Sequence, residues 1–307
     1  MKLHHIIKAQ QFDKKSLDEI FEVASQMEEI AKKGSSNTLN GKIMATIFYE
    51  PSTRTRLSFE AAMIKLGGEL ISTENAREFS STAKGESLED TIRIVGSYSD
   101  IVVLRHFESG AAERAAKVSP VPIINAGDGP GQHPTQALLD IYTIKKEIGK
   151  LDGISIAMVG DLAYSRTVRS LAYLLTKYDN VKIYFVAPEV VKMRGDIKNY
   201  LTNHNTFYSE ETDLEKVATK VDVIYQTRIQ KERFGENLDD YEKAKDKYII
   251  DSGILKAMKK NTIIMHPLPR VNEIKTEVDS DPRAAYFRQA QNGLYIRMAL
   301  LKMILLA

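Results

Sequence analysis

The first regular hydrophobic pattern of the chain has the spacing of a helix. Its apolar positions are Leu17, Ile20, Phe21, Ala24, Met27, Ile30 and Ala31. Ser16 stands directly before them, and serine is a common N-cap because its hydroxyl accepts a hydrogen bond from the first turn. The pattern predicts that the chain opens with a helix capped by Ser16.

Short apolar runs then alternate with amphipathic segments as far as residue 148. The predicted strands are 43–48, 69–72, 101–105 and 121–124, and the predicted helices are 53–66, 88–98, 109–117 and 134–148. A polar loop, residues 73–86, interrupts this order before Ser87, which forms a capping-box pattern with Asp90. Strands and helices that alternate in this way are typical of a parallel sheet with helical connections.

The alternation starts again near residue 150. Strands are predicted at 154–159 and within 181–188, 221–228 and 261–270, with helices between them and a last helix over 283–306. The polar segment 229–247 predicts a mobile flap with a short helix. The expected fold class is α/β, with two Rossmann-like domains that each contain a parallel sheet. Ligands of such sheets bind beyond the carboxyl ends of the strands.

Composition narrows the class of ligand. The chain of 307 residues is long enough for about two domains, and its 43 basic and 41 acidic side chains nearly cancel. No global charge therefore favours nucleic acid or an anionic membrane. The chain has no apolar stretch of about 18 residues and no signal-peptide pattern at its start. We predict a cytoplasmic protein that binds neither nucleic acid nor membrane.

Several common chemistries lack their sequence patterns. The chain has no cysteine, which excludes disulfides, thiolate nucleophiles and cysteine–zinc sites. It also lacks the GxGxxG, P-loop, HExxH and GxSxG motifs, so we expect no metal and no cofactor.

The stretch YEPSTRTRLSF, residues 49–59, sets two arginines and several hydroxyl groups directly behind the strand 43–48. Ser52 is the expected N-cap of the next helix, whose free N–H groups and positive dipole end favour an anion. Arg54 and Arg56 lie about 200° apart around a helix. We therefore assign Arg54 to the anion and Arg56 to Glu60, four residues further on. A phosphate is the expected ligand, and the alternative is a surface helix with solvated arginines.

A second polar cluster precedes the helix 134–148. His133 and Gln136 flank Pro134, a residue favoured at the first helical position. A histidine beside a positive helix end is expected to stay neutral and to donate to a carbonyl oxygen that becomes an oxyanion. Arg105 ends the strand 101–105 on the same carboxyl side. The alternatives are a structural histidine and an exposed cation at a strand end.

Two further arginines follow strands of the second half. Arg166 comes after the strand 154–159, and Arg228 comes after the strand 221–226. Two guanidinium groups at one edge of a sheet suit a dicarboxylate, because each can hold a carboxylate with two hydrogen bonds. The alternative is that Arg228 pairs with Glu232.

Three motifs together resemble one family. They are SxRTR at residues 52–56, HPxQ at 133–136 and HPLPR at 266–270, and similar co-ordered matches run along nearly the whole chain. The sequence is identified as a member of the aspartate/ornithine carbamoyltransferase family. The resemblance implies transfer of the carbamoyl group of carbamoyl phosphate to the amine of L-aspartate in pyrimidine biosynthesis, giving N-carbamoyl-L-aspartate and phosphate.

The resemblance also implies an organisation of the chain. Residues 1–133 would form a domain that binds carbamoyl phosphate, completed by the helix 287–307. Residues 150–286 would form a domain that binds aspartate, and the helix 134–149 would connect the two. A homotrimer is implied, with active sites in the cleft between the domains and at the subunit interface. Whether a zinc-bearing regulatory chain binds stays open.

Site residues are carried over by position. The resemblance assigns the phosphate to Ser52, Thr53, Arg54 and Thr55, and the carbamoyl oxygen to Thr55, Arg105 and His133, while Gln136 orients the carbamoyl amide. Ser80, or alternatively Ser81, and Lys84 would come from a neighbouring subunit. Aspartate would be bound by Arg166, Arg228, Gln230 and Lys84, with the backbone at Pro267 and Leu268 contacting both substrates.

Two differences from the family bear on function. Ala163 precedes Tyr164 where relatives with coupled domain closure often have lysine, so cooperativity is not expected from that contact. The HPLP sequence replaces the HCLP that is typical where ornithine is the acceptor, which favours aspartate. The alternatives are ornithine as acceptor, or a non-catalytic phosphate-binding scaffold.

Overall fold

The chain forms two compact units. The computed structural model describes residues 3–79, 85–229, 238–244 and 247–306. Unit 1 consists of Met1–Leu139 with Gln291–Ala307, and unit 2 consists of Asp140–Ala290. Each unit contains a parallel sheet with helical connections, so the predicted α/β class with two parallel-sheet domains is confirmed.

Unit 1 is built on a four-stranded sheet within the described residues, in the order β2-β1-β3-β4. Its strands are β1 Ile43–Phe48, β2 Glu69–Glu74, β3 Ile101–His106 and β4 Ile123–Asp128. Its helices are α1 Lys14–Lys33, α2 Thr53–Lys65, α3 Ala76–Phe79, α4 Leu88–Tyr98 and α5 Ala111–Val118. α6 Pro134–Ile148 leads into unit 2. All pairings are parallel, so the carboxyl ends of β1, β3 and β4 share one edge.

The start of α1 differs from the prediction. The helix begins at Lys14, and its N-cap is Asp13, whose side chain accepts from the Ser16 N–H at 2.8 Å. The Ser16 hydroxyl bonds back to the Asp13 backbone, so Ser16 is the third helical residue of a capping box. The sequence prediction placed the start at the first apolar residue, but a polar first turn precedes it.

α2 begins and ends close to its predicted bounds. Ser52 occupies the N-cap position, but its side chain makes no capping hydrogen bond. Beyond the C-terminus Gly67 has φ +81°, and a Cβ there would lie 2.5 Å from the Ser36 carbonyl oxygen. Only glycine fits this turn, which brings the chain back into β2.

Unit 2 has a five-stranded sheet within the described residues, in the order β7-β6-β5-β8-β9. The strands are β5 Ser155–Val159, β6 Lys182–Val186, β7 Phe207–Glu211, β8 Val223–Gln226 and β9 Ile263–Met265. The helices are α7 Arg166–Leu175, α8 Gly195–Asn203, α9 Leu214–Ala218, α10 Leu238–Ala244 and α11 Ser252–Ala257. α12 Tyr286–Leu305 begins in unit 2 and continues into unit 1. β7 was not predicted from the sequence.

The central strands of this sheet are buried and apolar. β5 is buried along its whole length, and so is β8. The side chains of Ala157, Val159 and Ile224 pack in one cluster with residues of α9, including Val217. Such continuous apolar runs are typical of parallel strands covered on both faces.

Two further predictions concern segments with partial description. Part of the predicted flap, Leu238–Ala244, is helical, while residues 230–237 and 245–246 lie outside the described residues. Among the helices that the structure describes, none has the length and apolar character needed to cross a membrane.

Candidate functional site

The polar side chains at the start of α2 have no bonding partner among the described residues. Within the described part of the chain, the side chains of Ser52, Thr53, Arg54 and Thr55 make no hydrogen bond or ion pair. Thr55 is buried, whereas Arg54 is exposed to solvent. The protein around Arg54 lowers its pKa by partial desolvation, yet a guanidinium remains charged at neutral pH. This turn therefore offers hydroxyl groups, a cation and the positive end of a helix to an anion.

Arg56, two residues after Arg54, is paired with two carboxylates. Its guanidinium lies 3.3 Å from Glu60 and 2.9 Å from Glu74. It also donates to the Ser72 hydroxyl at 3.1 Å. Glu74 in turn accepts from the Ser52 N–H at 3.3 Å, which fixes the entry into the helix. The predicted pairing of Arg56 with Glu60 is confirmed, and the partners on β2 were not predicted.

Arg105 lies at the end of β3 and is largely covered. Its side chain is 13% exposed, donates to the Ala126 carbonyl at 3.3 Å and lies 3.7 Å from the Glu50 carboxylate. The pairing of β3 with β4 shifts register between Leu104 and His106, next to this residue. Such irregularities are common where a strand must aim a side chain at a site. The exposed-cation alternative does not hold for Arg105.

His133 is the residue from which α6 starts. Its side chain is buried, and its carbonyl accepts from the Gln136 and Ala137 N–H groups at 3.1 and 3.2 Å. The preceding loop is held by Asp128, which accepts from the Gln132 N–H and the Gly110 N–H at 2.8 Å each. The helix start is therefore fixed from both sides.

The sheet order brings these groups to one edge of unit 1. β1 is the neighbour of β3, and β3 is the neighbour of β4. Ser52 to Thr55 follow the carboxyl end of β1, Arg105 is the penultimate residue of β3, and His133 follows β4. One edge thus carries two guanidinium groups, three hydroxyl groups and an imidazole.

In unit 2 the two predicted arginines follow neighbouring strands. β5 pairs with β8, and Val159 stands opposite Gln226 in the register. Arg166 is the first residue of α7, whose N-cap Ser165 accepts from the Val168 N–H at 3.5 Å. Arg228 comes two residues after the end of β8 and is half-buried. Both cations therefore lie at the carboxyl edge of the same sheet.

The ends of β5 and β8 are locked together at the backbone. The Thr227 N–H and hydroxyl donate to the Val159 carbonyl at 2.9 and 2.8 Å. Gly160 has φ +104°, and a Cβ there would lie 2.3 Å from the Thr227 carbonyl oxygen. No larger residue fits at this crossing, so the separation of the two strand ends is fixed.

The HPLP segment follows β9, the neighbour of β8. Pro267 and Leu268 are half-buried, and Leu268 has φ +55°, in the left-handed region that a leucine rarely adopts. His266 is buried and contacts the Leu268 N–H and the Glu273 carboxylate. Sequence reasoning used only the backbone of this segment and missed the ring. A glutamate seven residues after the histidine was the available signal.

Some predicted site residues cannot be placed. Ser80, Ser81, Lys84 and Gln230 lie outside the described residues, as does Glu232. Their assigned roles, and the alternative pairing of Arg228 with Glu232, stay predictions. Over the described ranges, no group of three or more histidine, aspartate or glutamate side chains is arranged to hold a metal ion.

Comparison with known families decides the membership of the chain. The family model described as "Aspartate/ornithine carbamoyltransferase, carbamoyl-P binding domain" matches residues 4–146. The model described as "Aspartate/ornithine carbamoyltransferase, Asp/Orn binding domain" matches residues 152–304. The chain belongs to the aspartate/ornithine carbamoyltransferase family.

Individual members of this carbamoyltransferase family are similar to the chain over most of their length. "Aspartate carbamoyltransferase, chloroplastic" of Oryza sativa is 66% identical, with 99% of this chain and 86% of the relative covered. The "Aspartate carbamoyltransferase catalytic subunit" of Methanocaldococcus jannaschii is 51% identical, with 99% and 98% covered.

Solved structures of carbamoyltransferases share the fold. A crystal structure of aspartate transcarbamoylase from Trypanosoma cruzi in complex with N-(phosphonacetyl)-L-aspartic acid superimposes with a TM-score of 0.93. It has 42% identity and covers 99% of this chain and 96% of that one. The catalytic subunit of the M. jannaschii enzyme has a TM-score of 0.90 and 50% identity, with 98% of each chain covered.

These comparisons confirm the predicted family and enzyme class, and they correct the predicted location. The similar proteins named above are aspartate rather than ornithine carbamoyltransferases. The cytoplasmic prediction is wrong, because relatives 66% identical from Oryza sativa, Arabidopsis thaliana and Pisum sativum are named chloroplastic. The sequence pattern alone carried no information on a plastid.

Proposed function

We propose that this carbamoyltransferase transfers the carbamoyl group of carbamoyl phosphate to the amine of L-aspartate, giving N-carbamoyl-L-aspartate and phosphate. The observation that supports this most directly is the first turn of α2. Four consecutive polar side chains, Ser52 to Thr55, make no bond within the described part of the protein, while Arg56 beside them is paired twice. Hydrogen-bond donors at a helix N-terminus that have no partner within the described part of the protein suit a phosphate group.

The phosphate is assigned to Ser52, Thr53, Arg54 and Thr55. A guanidinium can hold two phosphate oxygens at once, and the hydroxyl and backbone N–H groups can donate to the third. As the carbon–oxygen bond to phosphate breaks, charge grows on the leaving group, and Arg54 then binds it more tightly than in the substrate. Lys84 and Ser80, or Ser81, are assigned to the same phosphate from a neighbouring subunit.

The carbamoyl group is assigned to the edge formed by β3 and β4. Thr55, Arg105 and His133 would donate to the carbamoyl oxygen, and Gln136 would orient the amide. The existing bonds of Arg105 to Ala126 and of the His133 carbonyl to α6 support a fixed arrangement of donors. Donors fixed before the reaction stabilise an oxyanion without a cost of reorganisation.

The acceptor is assigned to unit 2. Arg166 and Arg228 would each bind one carboxylate of aspartate, with Gln230 and Lys84 as further donors. The carbonyl groups of Pro267 and Leu268 would accept from nitrogen atoms of the substrates. Ornithine carries one carboxylate and a second cationic amine, so two arginines at one edge favour aspartate.

The chemistry needs no covalent enzyme intermediate. The aspartate amine attacks the carbamoyl carbon, a carbon–nitrogen bond forms, and the carbonyl electrons move onto oxygen. When they return, the bond to phosphate breaks with its electron pair. The amine proton passes to the leaving phosphate, so no side chain is assigned as general base.

A direct assay tests the proposal. Purified protein with labelled carbamoyl phosphate and L-aspartate should give labelled N-carbamoyl-L-aspartate and an equal amount of phosphate. L-ornithine in place of aspartate should give no citrulline. Product with ornithine alone would overturn the choice of acceptor, and phosphate binding without any transfer would favour the scaffold alternative.

The shared site and the trimer belong to the same proposal. A mass three times the 34.6 kDa of the chain is expected in solution, measured by light scattering. Arg54→Ala and Lys84→Ala should each be nearly inactive, yet a mixture of the two, unfolded and refolded together, should regain activity. In hybrid trimers some sites combine an intact Arg54 from one chain with an intact Lys84 from the next.

Two outcomes of that mixing are informative. Activity that stays at the level of the separate variants, although mass spectrometry confirms hybrids, would place Lys84 in the site of its own chain or in none. Metal analysis of protein purified from its source would reveal a bound zinc-bearing regulatory chain. The predicted boundaries 1–133, 134–149 and 150–286 are kept as the proposed functional division.

We also propose that the protein works in a plastid. The chloroplastic relatives at 66% identity support this location. Fractionation of the source cells should place the transferase activity with a plastid marker.

A further inference from the structure

The HPLP segment depends on a buried histidine that the proposed reaction does not use directly. His266 is 2% exposed and Glu273 is 6% exposed, and both belong to unit 2. The Leu268 N–H donates to His266 Nδ1 at 2.7 Å. His266 Nε2 lies 2.8 Å from Glu273 Oε1. The imidazole thus links the backbone of Leu268 to a carboxylate.

These contacts fix the protonation of the ring. A backbone N–H can only donate, so Nδ1 of His266 must be without a proton. The single proton of the neutral ring then lies on Nε2 and is donated to Glu273. Burial alone would raise the pKa of the Glu273 carboxyl, but the bonds from His266 and from the Val271 N–H at 3.0 Å hold it below its usual range. Glu273 is therefore a carboxylate that selects one tautomer.

The same contacts set the direction of a carbonyl group. In a trans peptide the N–H and the C=O point in opposite directions. Because the Leu268 N–H points at the His266 ring, the Pro267 carbonyl points away from that ring. Leu268 has φ +55°, a conformation that costs free energy for a leucine and persists only where neighbouring groups hold it. The hydrogen bond to His266 can hold Leu268 in this conformation.

A buried chain of bonds keeps the histidine in place. The backbone N–H of His266 donates to Gln289 Oε1 at 2.8 Å, and Gln289 Nε2 donates to Asp140 Oδ1 at 2.7 Å. Tyr225 donates to the other oxygen of Asp140 at 2.8 Å. These side chains are buried to at least the same degree as His266. The backbone of His266 is thus linked to α12, α6 and β8, and this fixes the point from which the ring extends.

We propose that His266 and Glu273 are positioning residues of the acceptor site. They hold the Pro267–Leu268 peptide so that its carbonyl oxygen accepts a hydrogen bond from a substrate N–H group. This inference rests on the proposed function for its effect on turnover, but the tautomer and the loop conformation stand without it.

The substitutions separate positioning from folding. His266→Leu removes both ring contacts at similar volume. His266→Asn keeps an acceptor for Leu268, because an asparagine oxygen readily accepts from the N–H two residues on. Glu273→Gln leaves two donors facing each other in either orientation of its amide. Tyr225→Phe is the matched control, since it removes a buried bond of the same network without touching the loop.

The kinetic expectation follows from a loss of orientation. His266→Leu and Glu273→Gln should lower kcat/KM for aspartate about 10²-fold, the size expected for a displacement near 1 Å. His266→Asn should recover about tenfold of that loss. Binding of inorganic phosphate, measured by calorimetry, should be unchanged in all of them, because the proposed phosphate site contains no residue of unit 2. Tyr225→Phe should melt at lower temperature with unchanged kcat.

A spectroscopic measurement decides the tautomer. Nitrogen-15 NMR of the parent protein should show His266 Nδ1 unprotonated and Nε2 protonated at pH 7. A protonated Nδ1 would overturn the inference, and so would a His266→Leu variant with kcat/KM within threefold of the parent or an asparagine variant no better than the leucine one. If the parent transfers no carbamoyl group, the proposed function falls, and the NMR result with amide exchange at Leu268 still decides whether His266 sets the loop.

Discussion

The two units start a helix from the same place in their sheets, and they do it differently. α2 follows β1 and α7 follows β5, and each of these strands has a neighbour on both sides. Both helices have a serine at the N-cap position and carry two arginines in the first turns. In α7 Ser165 caps the helix and Arg169 pairs with Asp196. In α2 Ser52 makes no capping bond, although Arg56 is paired in the same way.

The difference teaches what each helix start is for. A capped start has satisfied one of its free N–H groups within the protein and presents mainly the Arg166 side chain. An uncapped start keeps hydroxyl groups, N–H groups and dipole for a ligand. A phosphate needs many donors at one point, while each carboxylate of a dicarboxylate needs one guanidinium. The two starts match these two demands.

The largest effect is expected at the uncapped start. Arg54→Ala should reduce kcat by about 10³ or more while the melting temperature stays unchanged, because its guanidinium has no partner to lose within the described residues. Steady-state assays and calorimetric melting measure the two. Arg93→Ala is the control, since among the described residues that arginine forms an exposed pair with Asp90 and no other ion pair. Turnover of Arg54→Ala within threefold of the parent would refute the assignment.

A smaller effect is expected at the start of α6. His133→Ala should lower kcat about 10²-fold while carbamoyl phosphate binding weakens little, because a neutral donor gains most as the oxyanion forms. Calorimetric titration gives the binding and initial rates give kcat. An NMR titration that finds His133 charged at pH 7 would remove the neutral-donor role.

The capped side should respond in KM rather than in kcat. Arg228→Ala should raise KM for aspartate about ten- to a hundredfold, because a hydrogen-bonded charge pair contributes about 1.5–3 kcal/mol. Phosphate binding, measured by calorimetry, should not change. A variant that loses phosphate affinity and keeps its KM would mean that Arg228 does not serve the acceptor.

The serines give the smallest effects and the sharpest contrast. Ser165→Ala should lower the free energy of unfolding by about 1 kcal/mol, the usual contribution of a helix cap, with little change in activity. Ser52→Ala should leave stability unchanged and lower kcat about tenfold, because it removes a donor to phosphate and no cap. Urea denaturation and initial rates test both. The reverse pattern would mean that the two helix starts have been interpreted the wrong way round.

Local pattern predicted the fold well where a segment buries its own apolar face. β1, α4 and α6 have the predicted bounds, because their burial follows from neighbouring residues. β7 was missed because it lies at a sheet edge, where Phe207 is 51% exposed and the remaining side chains are polar. β4 extends to Asp128 although Asn125 is typical of turns, because buried hydrogen bonds satisfy that asparagine.

The candidate site was predictable where chemistry and position coincide. Arg54, Arg105, His133 and the two arginines of unit 2 could be singled out because they lie at or after the ends of apolar strands. The pairing of Arg56 with Glu74 could not, because Glu74 reaches it only through the β1–β2 register. His266 was overlooked for a similar reason, since its role depends on Glu273 and on bonds to the Leu268 backbone.

The crossing at Gly160 sets a limit on how acceptor preference can evolve. A single methyl group there would lie 2.3 Å from the Thr227 carbonyl oxygen, so any residue other than glycine would force the two strand ends apart. A lineage or a mutant library that changes the acceptor must therefore keep this spacing and replace side chains beyond it. Variants with a new acceptor should therefore carry substitutions at or after positions 166 and 228, and they should keep glycine at position 160. The backbone at this crossing would stay the same while the acceptor changes.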